Sequence, residues 1–189
     1  MKIFTVRHGQ TSWNIERRLQ GHSDIPLDDT GIEQAQKIAK RLADEKIDII
    51  YTSDLLRASK TAEAINAFHN AQIVATPKFR ESSFGIYEGR HIEEIAHEID
   101  WSHPDGGEST VEKFHRIHSF LDEITAKSHE NVVIVGHYGS VLAAICYFLK
   151  IEMAHRRSFE VGNTAIHCFE RDLNGNYKMI IENDTSHLL

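Results

Sequence analysis

Arg7-His8-Gly9, Arg57, Glu81 and His137 are the residues whose types and settings could do chemistry. The first three stand in the stretch Val6–Thr11, directly after the apolar run Ile3-Phe4-Thr5-Val6, and His137 follows a second apolar run, Asn131–Val135. A guanidinium offers a rigid fork to an oxyanion. An imidazole can serve as nucleophile, base or metal ligand. Gly9 would let the backbone come close to a ligand or take a dihedral closed to other residues. Two guanidiniums and two imidazoles together make a positive cup for a dianion such as phosphate. One imidazole in line with phosphorus can attack it, and a carboxyl beside the departing oxygen can give that oxygen a proton. Two histidines and a glutamate also make a zinc set. The neighbouring arginines would repel a cation, so phosphate chemistry is favoured over metal, with an unreactive hydrogen-bonding role as the third reading.

These residues meet only if the fold brings strand ends together. Lys2–Val6 reads as a buried strand, and Ser12–Asp29 as a long loop with a short helical piece near Trp13–Arg17. Thr30-x-x-Glu33 has the form of a capping box. It precedes a helical stripe of Ile32, Ala35, Ile38, Ala39, Leu42 and Ala43. Ile47–Thr52 is a second strand, and Ser53 or Asp54 caps a helix to about Phe68, with Leu55, Ala58, Ala62 and Ile65 inward. Ile73–Ala75 is a third strand, stopped by Pro77; Phe79–Arg90 is irregular, and Ile92, Ile95, Ala96 and Ile99 support a short helix. After a turn over Trp101–Glu108, Ser109-x-x-Glu112 opens a helix to about Lys127 that carries Val111, Phe114, Ile117, Leu121 and Ile124 inward. Asn131–Val135 is apolar throughout, as in the middle of a parallel sheet, and a largely apolar helix then runs to Leu149. Ala165–Phe169 and Tyr177–Ile181 read as a closing antiparallel hairpin across Asn174-Gly175.

Strands alternating with helices imply an α/β fold, a three-layer α/β/α sandwich with a mostly parallel central sheet and a C-terminal antiparallel hairpin. Parallel neighbours would bring His8 and His137 to one rim, with Arg57 in the first turn after strand two and Glu81 after strand three. Ligands bind at such carboxyl ends of strands.

The chain has 189 residues, 41% hydrophobic and 26% charged, which suits one domain over 1–189. No repeat or linker divides it. Its formal charge of −7, without a long basic run, argues against nucleic acid as the partner. The apolar stretch Ser140–Leu149 is too short to span a bilayer, so no membrane partner is expected either. Nothing resembles a signal peptide, and Cys146 and Cys168 both sit among apolar residues. A reduced, cytoplasmic protein is expected. There is no Walker loop and no Gly-x-Ser-x-Gly elbow.

Several further motifs fall in order: Gly31-x-x-Gln34-Ala35, Ser53-Asp54-Leu55-x-Arg57-Ala58-x-x-Thr61-Ala62, Glu81-x-x-Phe84-Gly85-x-x-Glu88-Gly89, Gly107-Glu108-Ser109 and Gly136-His137. With Arg7-His8-Gly9-Gln10-Thr11 they resemble the histidine phosphatase superfamily, on the branch of phosphoglycerate mutase and its small phosphatase relatives. The resemblance implies a phosphoglycerate mutase-like fold in which His8 forms a phosphohistidine, its ring fixed by the Gly9 carbonyl. Arg7 and Arg57 would grip the phosphoryl oxygens beside His137. Glu81 would protonate the leaving oxygen and later activate water, which requires it to hold its proton above the ordinary glutamate range. His137 would be free to carry charge. Asn14, Gln20 and the Tyr138 N–H would reach the phosphate or the entering water. No metal or other cofactor is implied. The chain departs from the family at Tyr138, where a small residue is common, which leaves the shape of the substrate pocket open.

The resemblance makes the partner a small phosphorylated metabolite and sets no oligomeric state. Mutases of this family carry an insertion that the 55 residues between Glu81 and His137 are too few to hold, so hydrolysis is expected over mutase turnover. A metal-independent phosphomonoesterase of broad specificity is the leading reading. The alternatives are an α-ribazole 5′-phosphate phosphatase, suggested by the tail Asn183–Leu188, a phosphoglycerate mutase, and a non-catalytic phosphate-binding regulator. Glu88–Glu108 and the loop Trp13–Pro26 are expected to form the lid over the leaving group, with Tyr87, Arg90, His91, Trp101 and His103 as candidates to contact it, whereas Arg17-Arg18 and Arg156-Arg157 are expected to be solvated surface pairs.

Overall fold

A computed structural model describes Met1–Leu189, except for the side chain of Arg157. Its sheet has six strands in the order β3-β2-β4-β1-β5-β6, where β1 is Lys2–Arg7, β2 Ile49–Ser53, β3 Gln72–Thr76, β4 Asn131–Gly136, β5 Ile166–Arg171 and β6 Tyr177–Asp184. β1 through β4 run parallel, while β5 pairs antiparallel with both β1 and β6. The helices are α1 (Ser12–Ile15), α2 (Asp29–Leu42), α3 (Leu56–Asn66), α4 (Ile92–Ile95), α5 (Thr110–Thr125) and α6 (Tyr138–Leu149).

Both faces of the sheet are covered. Ile38 and Leu42 of α2 and Ala58, Ala62 and Ile65 of α3 pack with Phe4, Val6, Ile50, Val133 and Val135. On the other face α5 and α6 place Phe114, Ile117, Leu121, Val141 and Ile145 against Ile3, Tyr51, Val132 and Ile134. Alternate residues of β1 and β4 therefore enter opposite cores, which is why those runs are apolar without alternation. The three-layer arrangement and closing hairpin agree with the sequence reading.

Four local expectations are corrected. α2 is capped not by Thr30 but by Asp28, whose Oδ1 accepts from the Gly31 N–H at 2.8 Å. The helix consequently starts two residues earlier, and Ile32 faces solvent while Gly31 is buried. Neither Ser53 nor Asp54 caps α3, because its first turn begins after Leu55. Asp54 is instead bound through both carboxylate oxygens to Arg80, at 2.6 Å each. Val111 is exposed, and its place on the buried stripe of α5 goes to Lys113 and Phe120. The Ser109–Glu112 capping box of α5 is present.

Candidate active site

Register builds the centre of the site. β1 and β4 pair in parallel with Arg7 opposite Gly136, so the next residue on each strand is a histidine. The His8 N–H donates to the Gly136 carbonyl at 2.9 Å, and the two imidazoles meet edge to face with centroids 5.2 Å apart. Both residues are buried. Arg57, in the first turn of α3, reaches the same point, and its Nε donates to His137 Nδ1 at 3.2 Å.

That bond fixes a tautomer. The guanidinium can only donate, so His137 Nδ1 must be bare and its proton must sit on Nε2. His137 is therefore neutral here, where the sequence reading allowed it a charge. Burial, together with the Arg57 charge, the His8 ring and Arg7, holds its pKa well below the ordinary imidazole value. His8 Nδ1 lies 2.6 Å from the Gly9 carbonyl, an acceptor only, so Nδ1 carries the proton and Nε2 keeps its lone pair. Burial first, and then the charges of Arg57 and Arg7, keep His8 unprotonated well below pH 6.5. A neutral imidazole with a free Nε2 is the nucleophilic form.

Both glycines flanking this turn are present for packing. A Cβ on Gly9 would lie 2.5 Å from the Gly31 carbonyl oxygen, and one on Gly31 only 2.0 Å from that of Gln10. Gly9 thus admits the start of α2, not a ligand, which corrects the ligand-approach reading. Gln34 of the same helix accepts the Gln10 N–H at 2.9 Å, and Thr61 of α3 accepts that of Gly9 at 3.2 Å.

The long loop between α1 and α2 serves Arg57. Carbonyls of Gly21 and Ser23 accept from its two terminal nitrogens at 2.8 and 2.7 Å, which pins the guanidinium plane. Burial pulls its pKa down to about 10, against the opposing pull of Glu81, Asp24 and Glu88, so it stays cationic at neutral pH. Glu88, unremarked as a functional group in the sequence, holds that loop. Its carboxylate accepts the N–H groups of His22, Ser23 and Phe84 and the Ser23 hydroxyl, at 2.8 to 3.0 Å.

Glu81 enters from the segment after β3. Its Oε2 accepts the Gly139 N–H of α6 at 2.8 Å and its Oε1 that of Ser82 at 2.9 Å. Each oxygen keeps a further lone pair on which a proton can sit. A cleft of about 590 Å³ joins all of these: Arg7, His8, Asn14, Gln20, Arg57, Glu81, His137 and Tyr138 line it. Arg7 is anchored by a 2.8 Å bond to the Val161 carbonyl, and its guanidinium lies 5.7 Å from the Tyr138 ring centroid. Asn14 spends its amide oxygen on the Thr11 N–H and hydroxyl, which leaves its NH2 group for the cleft. Arg7 Nε, His137 Nε2 and Gln20 Oε1 are buried without a partner among the described residues. Two of these are obligate donors, and the Gln20 amide presents a third by turning about its last bond. Unpaired buried donors around a bare imidazole nitrogen fit an oxyanion.

At the mouth the sequence reading was less successful. Of the five residues proposed to cover a leaving group, Trp101 alone lines the cleft, packed edge-on to Phe84 with centroids 6.3 Å apart. Tyr87 is buried, Arg90 pairs with Glu98, and His91 bonds the Glu16 carbonyl. Arg18 and Arg156 are not free surface cations, since both line the cleft; the Arg157 side chain lies outside the described residues. Glu108, the last residue of the expected lid segment, lines it as well, and so does Lys113, which was missed. Lys113 had a legible signal, because it falls on the buried stripe of α5 one turn before Ile117, where an apolar residue belongs.

Among the described residues no group of three or more histidine, cysteine, aspartate or glutamate side chains is arranged to hold a metal. Cys146 and Cys168 are buried free thiols. Among the described residues no helix is long and apolar enough to cross a membrane.

A parallel sheet that delivers paired histidines into an arginine cup defines a class. The chain belongs to the histidine phosphatase superfamily (branch 1), whose family model matches residues 3–184. It is 32% identical to phosphoglycerate mutase-like protein 4 of Arabidopsis thaliana, over 99% of this chain and 86% of that one. Among solved structures it is similar to the phosphoserine phosphatase of Entamoeba histolytica in complex with 3-phosphoglyceric acid, at 30% identity and a TM-score of 0.86, covering 100% of this chain and 99% of the other. The α-ribazole phosphatase of Shigella flexneri superposes with a TM-score of 0.90 at 26% identity, over 97% and 96%.

Proposed function

We propose that this phosphatase hydrolyses small organic phosphate monoesters through a phosphohistidine, without a metal, and with broad specificity. The observation that carries the reading is the His8 tautomer. Its Nδ1–H is spent on the Gly9 carbonyl, so the Nε2 lone pair is available among the buried donors of Arg7 and His137. Those donors and Arg57 take the phosphoryl oxygens, where charge accumulates in the transition state.

In the first step a bond forms between His8 Nε2 and phosphorus as the ester P–O bond breaks. The departing oxygen takes a proton from Glu81, whose carboxyl is held at the mouth by Gly139 and Ser82. In the second step water attacks phosphorus, its proton passes to the Glu81 carboxylate, and the P–N bond breaks. Phosphate leaves, and His8 and Glu81 return to their starting forms. Neutral His137 serves as an Nε2–H donor throughout. Asn14, Gln20 and the Tyr138 N–H, in the first turn of α6, supply further donors. Broad specificity is supported by relatives of similar likeness named for different substrates, phosphoserine and α-ribazole phosphate.

p-Nitrophenyl phosphate is the test substrate. Hydrolysis is expected to persist in excess chelator, and a requirement for added zinc or magnesium would overturn the metal-free reading. His8→Ala should lower kcat by at least about 10³-fold and abolish an acid-labile phosphoprotein while leaving the fold intact.

A further inference from the structure

The side chain of His22 has no part in the chemistry above, yet it stands between two of the groups that carry it. Carbonyls on either side of it, those of Gly21 and Ser23, accept from the terminal nitrogens of Arg57. Its own ring reaches the other group, with Nε2 2.9 Å from the Glu81 carbonyl oxygen. A carbonyl can only accept, so the ring donates and Nε2 carries the proton. The residue's own N–H is accepted by Glu88 at 2.9 Å, so the ring works from an anchored main chain. Gly21-His22-Ser23 thus touches both the guanidinium of the phosphoryl cup and the main chain of the proton donor.

Glu81 needs such a hold. It follows the short turn Pro77–Phe79 and lies in no strand or helix, so no backbone ladder sets its position. Its carbonyl accepts from two neighbouring elements, His22 of the first loop at 2.9 Å and Arg116 of α5 at 3.3 Å. Arg116 divides its guanidinium among Glu108 and the carbonyls of Lys78, Arg80 and Glu81, and the Glu81 contact is the longest of these. His22 makes the shorter bond, from the loop that orients Arg57. The two positions have to agree. A phosphoryl group seated by Arg57 fixes where the ester oxygen departs, and a proton reaches that oxygen only from a carboxyl within about 2.6–3.2 Å. A shift of about 1 Å in Glu81 would leave the grip on phosphate intact and the leaving oxygen unprotonated.

We infer that His22 is a positioning residue that holds Glu81 in step with the Arg57 cup, and that its importance grows with the leaving oxygen's need for a proton. This rests on the phosphatase reading for the roles of Arg57 and Glu81. It goes beyond that reading by assigning the alignment of the two to a residue that does not line the cleft.

The test compares p-nitrophenyl, phenyl and benzyl phosphate, whose leaving groups are similar in shape and increasingly basic. Nitrophenolate departs readily without a proton, whereas benzyl alkoxide requires one. The measured quantity is kcat/KM, which covers the step in which the leaving oxygen departs. His22→Leu should lower it about 10- to 100-fold for benzyl phosphate, part of what a general acid supplies, and no more than about threefold for p-nitrophenyl phosphate. Phenyl phosphate should fall between them. His22→Gln, whose amide N–H has a reach close to that of Nε2, should restore most of the activity on benzyl phosphate. An equal loss on every substrate would overturn the inference, since it would make His22 a support for Arg57 alone. So would no loss, or a His22→Gln enzyme as impaired as His22→Leu, which would reduce the ring to packing. Where leucine is not tolerated, His22→Asn, whose amide falls short of the Glu81 carbonyl, supplies the same comparison. In the unmodified protein, nitrogen NMR of the neutral ring should report the Nε2–H tautomer, and an Nδ1–H ring would also overturn the inference. Failure of the phosphatase reading shows separately, as an inability of the unmodified protein to hydrolyse p-nitrophenyl phosphate.

Discussion

The two halves of the cleft are built by different means. On the phosphoryl side, His8 and His137 occupy equivalent steps at the ends of paired parallel strands, and no side-chain choice elsewhere is needed to bring them together. On the leaving-group side, position is set by carboxylates that gather loops. Glu108 grips Arg116 and Asp54 grips Arg80, while Glu88 ties Phe84 to the Gly21–Ser23 turn that orients Arg57 on the phosphoryl side. Strand register admits no half-step, because a slip of one residue would turn each apolar side chain to the opposite face. A loop clamp can move by rebuilding a few hydrogen bonds. The chemistry therefore stands on the rigid half, and the half that meets the variable part of the substrate can change without disturbing it.

Arg57 is where the two meet, since α3 delivers it and loop carbonyls orient it. Replacing it by methionine should lower kcat/KM by about 10²- to 10³-fold, as for the loss of a charged oxyanion contact. The pH dependence carries a signed prediction. Arg57 is one of the charges that hold the His8 pKa down, after burial itself. Removing it raises that pKa, so the unprotonated fraction falls sooner on acidification and the acidic limb of kcat/KM moves to higher pH. Burial remains, so the limb should still lie below about 6.5. A limb that stayed in place, or moved to lower pH, would mean that His8 does not act in its neutral form.

Glu88→Gln tests the clamp, and its effect should be smaller. An amide cannot accept at both ends, so at least one N–H of the loop loses its acceptor, at a cost of about 1–3 kcal/mol. In a chain of this size that lowers Tm by about 5 °C. The Gly21 and Ser23 carbonyls then orient Arg57 less well, and kcat/KM should fall about tenfold, uniformly across substrates because the fault lies on the phosphoryl side. A loss confined to some substrates would place Glu88 in leaving-group recognition and blur the division between the halves.

That division also explains what the sequence disclosed. Apolar runs ending in histidine were visible at β1 and β4, and the alternation of strands with helices made parallel pairing the expected topology. Once register is parallel, the meeting of His8, His137 and Arg57 follows from backbone geometry. Glu81 was found because it follows a strand stopped by Pro77. The clamps were hidden because they join loops distant in sequence, where no period exists to read. Charge at the mouth misled for a related reason. Arg18 and Arg156 stand in pairs that look like solvated surface, and only the closure of the loops turns them toward the cleft. Lys113 differs, since its place on a helical stripe could have been counted.

Capping gives the smallest effect and the cleanest local test, for one box form was right and the other wrong. Ser109-x-x-Glu112 caps α5 reciprocally, whereas Thr30-x-x-Glu33 lies inside α2. The difference is tertiary. Gly31 must pass against the Gln10 carbonyl, so the first turn of α2 is drawn back to Asp28, whose other oxygen takes the Gln10 side chain at 3.2 Å. Asp28→Ala should therefore cost about 1 kcal/mol in a denaturation series, and Thr30→Ala less than about 0.5 kcal/mol. Asp28 touches the turn beneath His8 but not the cleft, so kcat/KM should change by no more than about twofold in either variant. A larger kinetic effect from Asp28→Ala would show that the strand-end turn is held by its helix as much as by the sheet, and that the rigid half of the cleft depends on a clamp of its own.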